Sequence, residues 1–386
     1  MATRKPISLI KGASGAGQTW PSEPTRFNDE HIDPFLLWCI QQGSSDITWQ
    51  TDRPVYNEIH GKLFPGTFRP MDAADMAILL TKIYGPEAQA RLAGGDDLDV
   101  SYEIRPDRYS RHRFRVNITA ILSKGRDAAQ VTMRALPSEP PTMQQLNIEE
   151  DIIANWAPRQ GLVVITGPTG SGKTTLLASG NRMLLERRHG CGKMLTYEAP
   201  IEFTYDAIHS PHSVVAQSEI PRHLPNFAAG VRNALRRKPN IILVGEARDR
   251  ETISAAIEAG QTGHAVYTTT HTTGVAATIR RMISSFESDE RAERAYALME
   301  TLRMIVTQAL VPKIGGGRIG VREWMVFNDT VREKLLDSDF NQWSSEIQRM
   351  IPNYGRTMNK SASILFEQGI IERRWYLILT QTAGGS

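Results

Sequence analysis

Residues 161–188 read GLVVITGPTGSGKTTLLASGNRMLLERR and decide the fold of the segment around them. An apolar stretch typical of a buried strand runs into a turn with three glycines, and a helical pattern begins at Lys173. This order directs backbone N–H groups and a helix N-terminus towards one point, where a nucleotide phosphate binds. In such a loop Lys173 reaches the β- and γ-phosphates and the Thr174 hydroxyl ligates Mg²⁺. The stretch therefore predicts a phosphate-binding loop.

A near copy of this loop, GASGAGQT, occurs at residues 12–19. It has Gln18 at the position of the lysine, so it lacks the positive charge that meets a triphosphate. Pro21 and Pro24 follow at once, and proline prevents a long helix there. We therefore predict that only the second loop binds nucleotide, and that residues 1–27 are a flexible tail rich in glycine, serine, proline and threonine.

Composition narrows the class of protein. The 386 residues carry a formal net charge of +3, which is too small to indicate direct nucleic-acid binding. The two cysteines, Cys39 and Cys191, cannot form a disulfide framework or a four-thiolate zinc cluster. No apolar run approaches the roughly 20 residues of a membrane-spanning helix. We therefore predict a cytoplasmic protein without membrane insertion.

Two different patterns divide the chain into domains. Residues 28–136 mix helical and strand patterns, which predicts a small α+β domain. Three prolines between positions 137 and 141 predict a linker over residues 137–146. Residues 147–386 begin with alternating strands and helices, which predicts an α/β domain on a mainly parallel sheet. Its predicted strands are residues 161–166, 193–198, 240–245 and 264–270.

Acidic and histidine side chains lie at the ends of these predicted strands. Glu246 follows IILVG, where a carboxylate can lie beside the phosphate loop and ligate Mg²⁺. Glu198 and Glu202, in TYEAPIEF, can take a proton from water or polarise it. His264 and His271 flank the last strand, where a histidine can sense a γ-phosphate. Taken alone, each of these residues is also compatible with an ordinary structural role.

Four stretches, in their order and spacing, resemble the boxes of the secretion ATPase superfamily, which includes the PilT pilus motors and the VirB11-like and DotB-like ATPases. They are GPTGSGKTT, EAPIEF, ILVGEARDRETISAAIEAGQTGH and TTTHTTG, the Walker A, Asp, Walker B and His boxes. The resemblance extends over roughly residues 30–330. It implies a RecA-like P-loop ATPase domain after a PAS-like N-terminal domain, and a toroidal homohexamer with ATP between the two domains.

The resemblance also implies roles for individual residues, with ATP and Mg²⁺ as the bound groups. Glu202 matches the Asp-box acid that acts as general base, and Glu246 matches the Walker B acid that ligates Mg²⁺ with Thr174. Lys173 is predicted to be catalytic. The predicted nucleotide contacts are Gly167, Pro168, Thr169, Gly170, Ser171, Gly172, Lys173, Thr174, Thr175, Glu198, His264 and His271.

A basic strand is predicted at residues 111–117, which read RHRFRVN. Alternation puts Arg111, Arg113 and Arg115 on one face. Three arginines on one face repel one another unless acids such as Asp107, or an anion, neutralise them. A triphosphate would do so, and the family carries arginines on a matching strand. We predict Arg113 as the principal, catalytic contact, with Arg111 and Arg115 beside it.

Departures from the family pattern indicate which branch of the family this chain resembles. Pilus motors read EDPIEF where this chain has Ala199, and REDPD where it has RRKPN at residues 236–240. Their retraction motif AIRNLIRE is matched only weakly by TVREKLL. The EAPIEF and RRKP variants resemble DotB and conjugative-transfer ATPases such as TraJ. Arg232 and Arg236 are candidate nucleotide contacts, or else exposed basic residues of a helix.

The predicted function is therefore a hexameric, Mg²⁺-dependent ATPase that energises type IV secretion or conjugative transfer by ATP-driven domain motion. Its predicted partners are components of the machine at the inner membrane, to which it is recruited peripherally. Three alternatives stay open: a pilus retraction motor of the PilT type, a hexameric DNA translocase, and an assembly scaffold that needs ATP binding without turnover.

Overall fold

The computed structural model describes residues 19–59, 61–107, 110–136 and 139–382. The chain divides into two compact units, Met1–Ser138 and Glu139–Ser386. Nearly all of the first glycine-rich loop, residues 12–18, lies outside the described residues, so the prediction for it stays a prediction. In the described part of the chain, no helix has the length and apolar character needed to cross a lipid bilayer.

The first unit is an α+β unit built on one antiparallel sheet. Its described elements are α1 (Asp29–Gln41), β1 (Asp46–Gln50), β2 (Tyr56–Ile59), β3 (Lys62–Pro65), α2 (Ala73–Ile83), α3 (Ala88–Ala93), β4 (Leu98–Ile104), β5 (His112–Ser123) and β6 (Arg126–Leu136). The strand order is β3-β2-β1-β6-β5-β4. Phe114, Val116 and Ile118 alternate along β5 and are buried in the apolar core, which leaves the polar residues of β5 on the opposite face.

Residues ahead of α1 belong to this unit. Trp20 and Phe27 are buried, and their rings lie 5.4 Å and 5.8 Å from the ring of Phe35. The Phe27 backbone N–H donates to the Asp75 carboxylate at 3.2 Å. The prediction of a flexible tail through residue 27 is therefore wrong for residues 19–27, because two large aromatic side chains in this stretch are buried away from water.

The second unit is an α/β unit whose elements alternate as the sequence predicts. Its described elements are α4 (Glu150–Ala154), β7 (Gly161–Thr166), α5 (Lys173–Leu185), β8 (Gly192–Glu198), β9 (Ser213–Glu219), α6 (Phe227–Ala234), β10 (Ile241–Val244), α7 (Arg250–Gln261), β11 (Ala265–Thr269), α8 (Val275–Ser284), α9 (Arg291–Thr301), β12 (Leu302–Pro312), β13 (Arg318–Val326), α10 (Asp329–Leu336), α11 (Trp343–Tyr354), β14 (Gly355–Arg356), α12 (Met358–Glu367) and α13 (Arg373–Thr382).

The sheet of the second unit is mainly parallel, in the order β14-β13-β12-β7-β11-β10-β8-β9. In this order each strand from β12 to β9 is parallel to the next one. Strand β13 pairs antiparallel with β12, and β14 pairs antiparallel with β13. Every residue of β7, β10 and β11 is buried, which is typical of strands covered on both faces. The four predicted strands are confirmed as β7, β8, β10 and β11, whereas β9, β12, β13 and β14 were not predicted.

The start of the second unit lies within the predicted linker. Met143 and Ile148 are buried in the same apolar cluster as the strand residues Val163 and Ile165. Residues from Glu139 onward therefore belong to the second unit, and the predicted linker over residues 137–146 extends too far. The buried Met143 accounts for the difference, since it draws this proline-rich segment onto the core.

The helix α5 that follows the phosphate loop packs closely on Trp156. A Cβ atom added to Gly180 of α5 would lie only 2.0–2.2 Å from atoms of the Trp156 indole. Trp156 is fully buried, and its backbone carbonyl accepts a hydrogen bond from the Tyr267 hydroxyl of β11. The absent side chain at position 180 thus sets how near α5 approaches the core.

Gly180→Ala is expected to lower the free energy of unfolding by about 1–3 kcal/mol, because the added methyl group overpacks a filled core. Gly260→Ala is the matched control, since a Cβ there would lie 3.4 Å from the nearest atom, in ordinary contact. This control should be neutral or stabilise by up to about 1 kcal/mol through helix propensity. Urea unfolding midpoints check both, and equal midpoints for the two variants would refute the packing argument.

Candidate active site

The phosphate loop joins the end of β7 to the start of α5. Gly167, Gly170 and Gly172 have φ angles of +141°, +76° and +82°, a region that residues with a side chain rarely adopt. A Cβ on Gly167 would also lie 2.2 Å from the backbone oxygen of Gln308. The loop can therefore take this shape only with glycine, and it leads directly into the N-terminus of α5, where anions bind favourably.

Lys173 is buried within its own loop. Its Nζ donates to the backbone oxygens of Gly167 at 2.7 Å and Pro168 at 3.0 Å, and lies 3.4 Å from Nδ1 of His271. Burial lowers the pKa of Lys173, while the nearby Glu246 carboxylate acts in the opposite direction. A positive charge removed from water in this way interacts more strongly with an anion than an exposed lysine would.

His271 lies next to Lys173, and Glu246 lies next to His271. Glu246 follows β10, and its Oε1 lies 2.9 Å from Nε2 of His271 and 2.6 Å from Nε of Arg248. A neutral His271 with its proton on Nε2 satisfies both neighbours, since Nε2 then donates to Glu246 and Nδ1 accepts from Lys173. The predicted residues Lys173, Glu246 and His271 are thus brought together, because the parallel strands β7, β10 and β11 end at one edge of the sheet.

A group of threonine hydroxyls holds the turn that carries His271. Thr166, at the end of β7, lies 2.8 Å from Thr272 and accepts from Thr270 at 3.0 Å. The Thr272 hydroxyl in turn lies 2.7 Å from that of Thr278 in α8. These contacts join the segment after β11 to the strand before the phosphate loop. The repeated threonines of TTTHTT were the available sequence signal for this network.

Glu198 and Glu202 lie at and beyond the end of β8, the strand beside β10. Glu198 is buried and accepts hydrogen bonds from Thr196 at 2.7 Å and from Gln217 at 3.1 Å. Glu202 is half-buried, four residues further along the same loop. The Glu198 carboxylate thus takes part in local hydrogen bonds, and both its contact with a nucleotide and the general-base role of Glu202 stay predictions.

The donor set suits Mg²⁺ better than a metal held by protein ligands alone. Thr174 and Glu246 provide one hydroxyl and one carboxylate near the loop. No cluster of three histidine, cysteine, aspartate or glutamate side chains suited to a metal occurs among the described residues. Mg²⁺ commonly uses few protein ligands and takes the rest from water and substrate phosphates. The residues present therefore fit a magnesium nucleotide.

Several predicted contacts are not brought to this edge. His264 lies at the opposite end of β11, whose five residues span about 17 Å. Its Nδ1 lies 3.1 Å from the backbone oxygen of Ala259. His264 therefore does not join Lys173, Glu246 and His271 at this edge, and its contact with a nucleotide stays a prediction. Arg232 and Arg236 are exposed, and Arg232 lines a surface cavity of about 760 Å³ beside Asp249.

The three arginines of the basic strand belong to the first unit. Arg113 is buried, and its Nε lies 3.8 Å from Glu103 of β4. Arg115 lies 2.8 Å from Asp99 of the same strand, and Arg111 precedes β5. Acids on β4 thus face two of the arginines. Their contact with a nucleotide stays a prediction.

Two residues of the site region were missed from the sequence. Arg248 pairs with Glu246, and its place two residues further on in GEAR was a readable signal. Gln308 of β12 donates to the backbone oxygen of Ser171 at 2.6 Å. No local pattern could have indicated Gln308, because its position depends on the pairing of β12 with β7.

Comparisons with known proteins agree with this geometry. A family model described as type II/IV secretion system protein matches residues 86–317. The type IV pilus retraction ATPase PilT of Pseudomonas aeruginosa is 33% identical over 89% of this chain and 96% of its own length.

Solved structures extend the likeness to the whole fold. The X-ray structure of the Legionella pneumophila ATPase DotB matches with a TM-score of 0.89 and 48% identity, covering 94% of this chain and 98% of DotB. The crystal structure of the pilus retraction motor PilT with bound ADP matches with a TM-score of 0.77 and 29% identity, covering 90% and 96% of the two chains. The chain, with its glycine loop, buried Lys173 and adjoining Glu246, therefore belongs to the type II/IV secretion system protein family and is an ATPase.

Proposed function

We propose that this chain hydrolyses ATP with Mg²⁺ and that the hydrolysis energises a type IV secretion or conjugative-transfer machine of the DotB type. The observation that carries the chemistry is the chain of contacts from Lys173 through His271 to Glu246 at one edge of the sheet. The 48% identity with DotB over nearly the whole chain, together with the EAPIEF and RRKP variants, supports the choice of branch.

In this proposal the loop and the start of α5 bind the phosphates through backbone N–H groups. Lys173 contacts two neutral carbonyls of its own loop, and a phosphate oxygen is a stronger, charged acceptor for the same ammonium. Thr174 and Glu246 would hold Mg²⁺, which neutralises charge on the phosphate oxygens when bound. His271 contacts both Lys173 and Glu246, so its position suits a sensor of the terminal phosphate.

Glu202 is the proposed general base, because it stands in EAPIEF at the position of the Asp-box acid that has this role in the family that the chain resembles. Arg113 of the first unit is proposed to add positive charge to the terminal phosphate in an assembled homohexamer. ATP-driven motion of the two domains would then act on machine components at the inner membrane, to which the protein is recruited peripherally. These roles extend the resemblance described above to this chain.

A pilus retraction motor is the second candidate, favoured by the 33% identity to PilT over almost the full length of both chains. Restoration of twitching motility in a strain that lacks PilT would favour this candidate. A DNA translocase predicts that double-stranded DNA raises the rate of ATP hydrolysis. A hydrolysis rate unchanged by DNA, with no restoration of twitching, agrees with the secretion assignment.

Glu202→Gln is expected to bind Mg-ATP as the wild type does while its hydrolysis rate falls about 100-fold or more, since general bases contribute at least this much. Asp206→Asn, an exposed acid in the same loop, is the matched control and should keep the wild-type rate. Phosphate release and nucleotide titration check both variants.

Two results would overturn parts of this proposal. A wild-type hydrolysis rate in Glu202→Gln would remove Glu202 as the base. If Glu202→Gln cannot hydrolyse ATP but still supports transport in cells, the protein is a scaffold that needs only ATP binding.

Arg113→Ala is expected to slow hydrolysis in the assembled oligomer about 1,000-fold, the lower range for an arginine that stabilises a transferring phosphoryl group. In this variant Glu103 still pairs with Arg105, whose Nε lies 2.5 Å from its Oε1, so the carboxylate is not left without a positive partner. Arg134→Ala is the control, because Arg134 is a largely exposed arginine of the same sheet, paired with Asp46. If Arg113→Ala hydrolyses ATP as fast as the wild type and Arg134→Ala, Arg113 does not contact the nucleotide.

A further inference from the structure

A buried pair of polar side chains lies directly behind the phosphate loop. Gln308 of β12 and Arg322 of β13 are opposite each other in the antiparallel register and are only 3% and 2% exposed. Buried polar groups need hydrogen-bond partners, and these two provide part of each other's requirement. Arg322 Nε donates to Gln308 Oε1 at 2.7 Å, and Gln308 Nε2 donates to the backbone oxygen of Ser171 at 2.6 Å.

The other end of the guanidinium reaches the segment before α4. Arg322 Nη1 donates to Glu149 Oε2 at 3.1 Å and to the Asn147 backbone oxygen at 3.2 Å. Arg322 Nη2 donates to the Leu146 backbone oxygen at 3.3 Å. Asn147 has a φ of +49°, a left-handed conformation that is uncommon outside glycine. Residues 146–149, Arg322, Gln308 and the phosphate loop thus form one continuous hydrogen-bonded series.

Glycine residues leave the space that this hydrogen-bonded series occupies. A Cβ on Gly320 would lie 2.4 Å from Arg322 Nη2, and a Cβ on Gly172 would lie 3.0 Å from Gln308 Nε2. Gly167 likewise has no space for a side chain beside the Gln308 backbone. Gln308 therefore packs against the first and last glycines of the phosphate loop, and a change in its side chain is transmitted to the loop.

The contact with Ser171 also orients a peptide group. In a trans peptide the carbonyl oxygen of one residue and the N–H of the next point in opposite directions. Gln308 holds the Ser171 oxygen on its own side, so the Gly172 N–H is held on the other side of that peptide. Backbone N–H groups of this loop are the donors that a phosphate requires.

We propose that Gln308 and Arg322 are positioning residues for the nucleotide. They fix the Ser171–Gly172 peptide in its binding orientation and join the phosphate loop to residues 146–149. Neither side chain touches the reacting atoms; each acts through the loop. The inference rests on the proposed function in one respect, that Mg-nucleotide binds at this loop.

The test uses Gln308→Met, which keeps similar length and removes both hydrogen-bonding groups, and Arg322→Lys, which keeps the charge and loses the fork. Both variants should raise the Kd for Mg-ADP about tenfold, the effect of losing one or two hydrogen bonds that orient the site. Thr307→Val is the matched control, because Thr307 is the neighbouring buried polar residue of β12 and its hydroxyl has no hydrogen-bond partner among the residues that the structure describes. This control should keep the wild-type Kd.

Hydrogen–deuterium exchange supplies a readout that does not depend on activity. In the full-length wild type, Mg-ADP should slow amide exchange at residues 146–149 as well as at residues 167–175. In Gln308→Met and Arg322→Lys, Mg-ADP at saturating concentration should still protect the loop but no longer protect residues 146–149. A core role without positioning would change the unfolding midpoint and leave this nucleotide-dependent pattern intact.

The outcomes separate this inference from the function beneath it. If the wild type fails to bind Mg-ADP, the proposed function fails and the positioning role falls with it. If the wild type binds Mg-ADP and both variants bind it with the wild-type Kd, the positioning role alone is overturned. The same holds if Thr307→Val raises the Kd as much as they do. If Gln308→Met does not fold, Arg322→Lys decides between the same results.

Discussion

The buried ammonium of Lys173 is the interaction on which the site depends. It lies 2.7 Å and 3.0 Å from two carbonyl oxygens of its own loop, so the loop closes around a charge that is shielded from water. Shielding strengthens the attraction of that charge for an anion. The arrangement requires glycine where φ is positive and a fully buried strand, β7, that fixes the direction of the loop. His271 lies next to this charge, and Glu246 in turn lies next to His271.

Contacts on two sides hold the loop in place. Threonines at 166, 270 and 272 join it to the turn that carries His271, and Gln308 with Arg322 supports it from β12 and β13. Parallel strands that end at one edge bring these groups together from distant parts of the chain. In our proposal, nucleotide binding is coupled through these contacts to packing outside the loop, including residues 146–149 ahead of α4.

The loop, four strands of the parallel sheet and the proximity of Glu246 and His271 could be predicted from sequence, because each depends on a local pattern and on strand order. Strand β12 could not, since LRMIVTQALVP is an apolar run that suits a helix as well as a strand. The Gln308–Arg322 pair could not be predicted without β12 and β13, because the register of these two strands places the two residues opposite each other. His264 and His271 were expected at opposite ends of one strand, as the structure has them, and of the two it is His271 that lies at the edge with Lys173 and Glu246.

The most direct test of this account is calorimetric titration of Mg-ADP into the full-length protein, its Lys173→Ala variant and its Gln18→Ala variant. The account predicts one site per chain in the wild type and an affinity lowered about 100-fold or more in Lys173→Ala, because charge-assisted contacts to phosphate are lost. Gln18→Ala, in the glycine-rich stretch of residues 12–19, should bind as the wild type does. Unchanged affinity in Lys173→Ala would contradict the central claim.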